Sequence, residues 1–215
     1  MKIGIIGSGA VGKVLGKAFL SEGNQVMLGS RNPEKEELIA WQKENPGAEL
    51  DSFAETARFG ELLVLATNGQ GTAEAIALSG TSRFAGKVVI DATNPIAQQA
   101  PTNGVLHYFT NLEESLMERL QAMLPEAKLV KAFNSVGNMF MYKPSFPGGK
   151  PSMFICGNDA GAKKMVSEIL DRFGWEPVDM GMVESARAIE PLCMLWCLPG
   201  MLYQQWTHAF KLLRL

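Results

Sequence analysis

The sequence predicts an α/β fold, an open and mainly parallel sheet doubly wound by helices, with a helical extension at its C-terminal end. Three observations predict it. Short apolar runs alternate with amphipathic stretches along most of the 215 residues, the pattern of a parallel sheet covered on both faces. A glycine-rich turn joins the first apolar run to the first amphipathic stretch. From Glu184 the alternation stops, and a segment rich in Met, Leu, Trp and Cys takes over.

Taken in order, strands are expected over 2–6, 25–28, 62–66, 88–91, 128–132, 153–156 and, with a weaker pattern, 176–180. Helices are expected over 11–22, 34–44, 52–58, 72–78, 113–123 and 160–173. Pro144, Pro147-Gly148-Gly149 and Pro151 mark a loop between strands. Residues 95–111 are rich in Ala, Gln, Pro, Thr and Asn and lack periodicity, and a loop of that length within a compact domain is often functional. From Glu184 one helical segment is expected to run to Leu215, kinked or divided at Pro191 and Pro199. Its apolar residues surround the axis instead of forming one stripe, so it needs cover on several sides. The chain therefore divides into a nucleotide-binding unit, 1–183, and a helical extension, 184–215, that packs on a second ligand or on a homodimer interface.

Composition narrows the function classes. With 20 Lys and Arg against 22 Asp and Glu the net charge is −2, and no basic block is present, so no nucleic-acid partner is expected. Cys156, Cys193 and Cys197 form no Cys-x-x-Cys pair and no ligand set with histidine, and read as buried thiols in a reducing, cytoplasmic setting with neither disulfide nor metal. Residues 1–6 read as a strand and not as a signal peptide. The apolar stretch 192–203 is broken by Pro199-Gly200 and is shorter than the roughly 20 residues of a spanning helix, so no membrane is expected.

The strongest motif is Gly7-Ser8-Gly9-Ala10-Val11-Gly12, between the first strand and the first helix. In a Rossmann-type unit Gly7 permits the tight turn, Gly9 lets backbone meet a pyrophosphate, and Gly12 packs the helix close to the sheet. Free amides at the helix start then face the anion. Folds selective for NAD carry an acid at the end of the second strand, about 20 residues past the loop, for the ribose 2′-hydroxyl. Gly29-Ser30-Arg31 stands there instead. Ser30 can donate to a 2′-phosphate, Arg31 offers a bidentate fork and a plane for adenine, and Lys35 adds charge. The expected cofactor is NADP(H), against the plainer reading of a solvated helix start with a surface arginine.

Other strand ends should line the crevice toward the nicotinamide. Thr67 and Asn68 follow one strand, Thr93-Asn94-Pro95 another, and Asn134 a third. Thr67, Asn68 and Asn94 suit ribose and carboxamide, although such residues also favour plain turns. Asn134 suits the acceptor or the carboxamide, and can equally cap the next helix. Arg187 and Glu190, three apart on a helix, read as an ion pair at least as well as ligand contacts. Met139, Met141, Met194 and Trp196 fit a core at least as well as an acceptor pocket. His107 reads as a surface residue. No side chain is nominated as catalytic.

These motifs resemble the NADPH-dependent oxidoreductases of coenzyme F420 and the cytosolic domain of the six-transmembrane metalloreductases (STEAP). The resemblance rests on the glycine loop, Gly29-Ser30-Arg31, Ala132-Phe133-Asn134-Ser135-Val136-Gly137, Ile155-Cys156-Gly157-Asn158-Asp159, Pro177-Val178-Asp179-Met180-Gly181 and Ser185-Ala186-Arg187-Ala188-Ile189-Glu190. It implies a hydride passed between NADP(H) and a deazaflavin (F420) or a flavin. Residues 7–12, Ser30, Arg31 and Lys35 would contact the NADP, with Thr67, Asn68 and Asn94 near the nicotinamide. The acceptor ring would stack beside residues 134–136 and the C-terminal helix. Two other readings stay open: a reductase of small carbonyls or imines, and a non-catalytic NADP-sensing module.

Overall fold

The computed structural model describes residues 1–215. Its main sheet has six parallel strands: β1 (Lys2–Ile6), β2 (Gln25–Gly29), β3 (Ala48–Asp51), β4 (Leu62–Leu65), β5 (Val88–Asp91) and β6 (Lys128–Lys131), in the order β3-β2-β1-β4-β5-β6. A second parallel pair, β7 (Ser152–Ile155) and β8 (Glu176–Asp179), joins β6 through the antiparallel bridge Lys131–Cys156. Strands covered on both faces read as continuous apolar runs, as in the wholly buried Leu-Leu-Val-Leu of β4. Alternate residues serve opposite faces: Leu62 and Val64 join the cluster around Phe19, Phe173 and Trp175, while Leu63 and Leu65 join that around Phe84, Met117 and Leu120.

The helices are α1 (Ala10–Ser21), α2 (Glu36–Glu44), α3 (Phe53–Phe59), α4 (Gly69–Ser79), α5 (Leu116–Met123), α6 (Ala160–Arg172), α7 (Ala186–Ile189) and α8 (Pro191–Tyr203). Side chains cap four of them: Ser52 on α3, Asn68 on α4, Ser115 with Glu118 as a capping box on α5, and Asp159 on α6. These caps explain two shifted boundaries. Asn68 starts α4 three residues before the expected 72, and Ser115 delays α5 past the expected 113.

Three sequence-based expectations are corrected. Strand β3 was not expected, because Ala-Glu-Leu-Asp is a short, partly exposed edge strand without an apolar run. The C-terminal helix stops at Tyr203, where Gln204 turns left-handed at φ 57°, and does not reach Leu215. Pro191 takes the first position of α8, where no amide is needed, and Pro199 sits within the helix without ending it. Residues 204–215 fold back instead: Trp196 Nε1 donates to His208 O (2.9 Å), the Trp196 and His208 rings stack 5.0 Å apart, and Ser152 N of β7 donates to Phe210 O (2.9 Å). Finally, Arg187 and Glu190 do not pair. Arg187 Nε and Nη2 grip Glu118 at 3.0 and 2.6 Å, whereas the Glu190 carboxylate turns inward.

What Glu190 meets there is a buried charge cluster. Lys131 Nζ, with no exposed surface, lies 2.7 Å from Asp91 Oδ2, 2.9 Å from Glu190 Oε1 and 3.0 Å from Thr93 O. Asp91 is Lys131's partner in the β5–β6 register. Burial opposes the ammonium's charge, yet the two carboxylates outweigh it and raise the Lys131 pKa. Two carboxylates against one ammonium leave a surplus negative charge, which the start of α5 meets: Leu116 N and Met117 N donate to Glu190 at 2.9 and 3.0 Å.

Lys131→Met should therefore cost about 3–5 kcal/mol of stability, because two buried carboxylates lose their counter-ion; a urea titration measures it, and a loss under about 1 kcal/mol contradicts the charge account. At the surface, the Arg187 guanidinium holds the Glu118 carboxyl down to about 2 from an ordinary 4.5. A depressed carboxylate contributes stability that is present above its unfolded pKa and lost as pH falls through its folded one. Glu118→Gln should thus flatten the wild-type loss of stability between about pH 5 and pH 2, read from denaturation midpoints across that window.

Candidate functional site

The glycine loop has the geometry its three positions require. Gly7 has φ +128°, and a Cβ there would lie 2.5 Å from Ala66 O. A Cβ on Gly12 would fall 2.0 Å from Gly7 O, so α1 lies against the turn as only glycine allows. A Cβ on Gly9 would meet nothing within 4 Å, leaving backbone open to a ligand. Gly9 also starts α1 with no side-chain cap, and its first turn holds no acid. The amides of Ala10, Val11 and Gly12 therefore form an anion site of the kind that α3 to α6 fill with their own side chains.

In front of this loop lies a cleft of about 460 Å³. Gly7, Ser8 and Gly9 line it with Ser30, Arg31 and Lys35 from the end of β2 and the start of α2, and with Thr67 and Asn68 from the end of β4. Eight of the expected site residues thus meet in one place, while Ala10, Val11 and Gly12 build the helix start behind it. Arg31 and Lys35 are exposed. Ser30 is buried, and its hydroxyl already closes a local turn with the backbone N and O of Asn32, both at 3.1 Å. Asn68 spends its Oδ1 on the Gln70 amide, and the Thr67 hydroxyl lies 2.9 Å from that of Thr72.

Asn94 and Asn134 do not line this cleft; they form a second group beside it. Asn94 Nδ2 donates to Asn134 O (2.8 Å), and Asn134 Nδ2 donates to Ile189 O (2.9 Å) and to Asn94 Oδ1 (3.3 Å). Phe133, at φ +64°, makes the turn that presents Asn134. Asn134 Oδ1 is buried and accepts no hydrogen bond within the chain. The groups are contiguous, because the start of α4 packs on Asn94: a Cβ on Gly69 would stand 2.0 Å from its carbonyl oxygen.

Further lining residues escaped the sequence reading: Asn32, Phe53, and the α4 face of Gly71, Glu74, Ala75 and Leu78. The spacing i, i+3, i+4, i+7 after the Asn68 cap was the available signal. Among the other candidates, Met141 and Trp196 are core residues, Met139 is 67% exposed, and His107 Nε2 lies 2.9 Å from the Thr102 hydroxyl. All three cysteines are free, and burial pushes the Cys156 thiol up to about 12. No group of residues is arranged to hold a metal ion, and no helix is long and apolar enough to cross a membrane.

Residues 2–95, which build the loop, the cleft and Asn94, match the family model described as NADP oxidoreductase coenzyme F420-dependent. The crystal structure of a candidate F420-dependent NADP-reductase from Arthrobacter sp. FB24 is 32% identical over the full length of both chains with a TM-score of 0.93. The chain belongs to the F420-dependent NADP oxidoreductase family. As a family member it is an NADP-dependent oxidoreductase with a Rossmann-type fold. It is 28% identical to the F420-dependent NADP reductase of Methanocaldococcus jannaschii, over 91% of this chain and 90% of that protein. It is also 29% identical to the metalloreductase STEAP3 of Rattus norvegicus, over 94% of this chain but only 39% of that longer protein.

Arg31→Ala is expected to weaken NADPH binding by about 1.5 kcal/mol, the low end for a hydrogen bond to a charged group because the side chain is largely exposed, while NADH binding barely changes. Calorimetric titration of both cofactors measures this, and equal losses contradict a 2′-phosphate contact.

Proposed function

We propose that this chain passes hydride between NADP(H) and a deazaflavin acceptor, F420 foremost, with a flavin as the other acceptor of the same ring chemistry. The observation that carries the proposal is that Arg31 and Lys35 line the cleft beside the end of β2, where an acid would select NAD. On this reading the amides of the Gly7–Gly12 turn hold the diphosphate, Arg31 and Lys35 meet the 2′-phosphate, and Ser30 shapes the turn between them. Thr67, Asn68 and Asn94 lie along the ribose and nicotinamide side. The Asn134 Oδ1 atom fits a carboxamide N–H, since a buried acceptor left without a donor costs about 1–3 kcal/mol.

The dihydronicotinamide supplies a hydride and the acceptor ring takes it; the protein must hold the rings face to face at about 3–3.5 Å and keep water out. Its own residues suit that task better than acid–base work. Lys131, Asp91 and Glu190 neutralise one another in the interior, and the Tyr108 hydroxyl donates to Glu190 O (2.8 Å), with burial raising its pKa. The deep titratable groups by the strand ends are thus committed to holding structure, where a carbonyl or imine reductase needs a proton at the reacting atom. The extension, 184–215, bears on the acceptor side through Ile189 and the hairpin-like loop 95–111, which packs on α8. Exposed Leu195, Met201, Leu202 and Tyr203 on α8 support a homodimer, and the three free thiols support a cytoplasmic setting.

NADPH oxidation should proceed with F420, FMN or FAD and not with a panel of ketones and imines, followed by the loss of dihydronicotinamide absorbance. Turnover of a ketone or imine with no ring acceptor active overturns the proposal, as does NADPH binding without turnover of any acceptor.

A further inference from the structure

One ion pair spans the cleft. Arg31 Nη1, just beyond β2, stands 4.0 Å from Glu74 Oε2 on α4, with 73% and 64% of the two side chains exposed. Glu74 belongs to the α4 face that forms the cleft wall, and it is the one carboxylate among the 15 lining residues, opposite the cations Arg31 and Lys35. An exposed pair of this length contributes little to folding. Its position gives it another consequence, because any anion that pairs with the guanidinium comes to rest beside the Glu74 carboxylate.

We propose that Glu74 is a specificity-determining residue that restrains the preference for NADP(H) over NAD(H). The inference rests on the reading that this cleft takes the adenosine end of NADP(H). A 2′-phosphate carries nearly two negative charges near neutral pH. To pair with Arg31 it must share the guanidinium with the Glu74 carboxylate, 4.0 Å away, and remain near it, so competition for the cation and direct repulsion act with the same sign. NAD(H) has a neutral hydroxyl at that position and leaves the Arg31–Glu74 pair in place. Arg31 therefore sets the direction of the choice, and Glu74 limits its size.

Glu74→Gln tests this with little risk to folding, since the residue is exposed and both side chains suit a helix. Fluorescence or calorimetric titration of NADPH and NADH is compared for the wild type, Glu74→Gln, Arg31→Ala and the double variant. At low ionic strength, Glu74→Gln should tighten NADPH about three- to tenfold and shift NADH less than about twofold, and salt should shrink the gain. In the Arg31→Ala background the gain should be smaller, because the competition has gone and only the direct repulsion remains. Unchanged or weaker NADPH binding overturns the inference, as does an equal change for both cofactors, which would make Glu74 a contact for adenine. An undiminished gain without Arg31 also overturns it. Failure of the wild type to bind NADPH overturns the cofactor reading and this inference together, whereas wild-type binding with no gain in the variant overturns this inference alone.

Discussion

A single buried ammonium ties the carboxyl ends of the central strands to everything that follows them. Lys131 ends β6, Asp91 ends the neighbouring strand, and Glu190 arrives from the junction of α7 and α8. An apolar trio would pack there at no electrostatic cost, and buried ion groups are often no more stabilising than such a replacement. What the charges add is direction. The ammonium reaches Thr93 O as well as both carboxylates, so it fixes the turn leading to Asn94 along with the extension. Glu190 in turn holds the first amides of α5, and the carbonyl just before it, Ile189 O, holds Asn134. The group around Asn94 and Asn134 is thus set by the interior and not by its own surface contacts.

The cleft before the glycine loop is built on the opposite principle. There the chain offers backbone: a glycine turn without side chains, an uncapped helix start and an open wall at Gly71. What that cleft offers an anion is amides and two exposed cations, whose attraction responds to salt and to local substitution. On the proposed function, a rigid reacting end with an adaptable anchoring end suits a protein that must align two rings closely while a nucleotide enters and leaves. It also explains why acid–base chemistry is hard to find near the strand ends, since the titratable groups there hold the frame.

Much of this was legible in the sequence, for identifiable reasons. The apolar runs of β1, β4, β5 and β6 and the glycine loop are local signals, and each lies where its pattern placed it. Edge strand β3 carries no such run, because an edge with one covered side tolerates Glu49 and Asp51. The fold-back after Tyr203 depends on Trp196, Trp206 and His208 finding one another in space, which helical periodicity does not record. Arg187 and Glu190 have the spacing of a helix pair, but stronger partners from α5 and β6 claim them separately. A lysine inside the run Leu129-Val130-Lys131-Ala132-Phe133 was a readable anomaly, and its partner Asp91 becomes evident once β5 and β6 are neighbours. Glu74 lacked even that signal, since a lone acid on an amphipathic helix ordinarily faces water.

Gly29, where an NAD-selective fold carries an acid, is tightly packed. A Cβ on Gly29 would stand 2.9 Å from Thr56 Oγ1 and 3.1 Å from the Phe53 ring, so α3 packs directly on the end of β2. An aspartate there, the simplest route to holding a ribose 2′-hydroxyl, would need the Thr56 hydroxyl and the Phe53 ring to give way. Phe53 meanwhile lines the cleft on one side and belongs to the apolar cluster on the other. The missing acid thus goes with a close meeting of helix and sheet, and restoring it would require Thr56 and Phe53 to move. The opposing charges at the cleft, Arg31 and Glu74, are exposed instead, and on the proposed function they are the adjustable part of the choice.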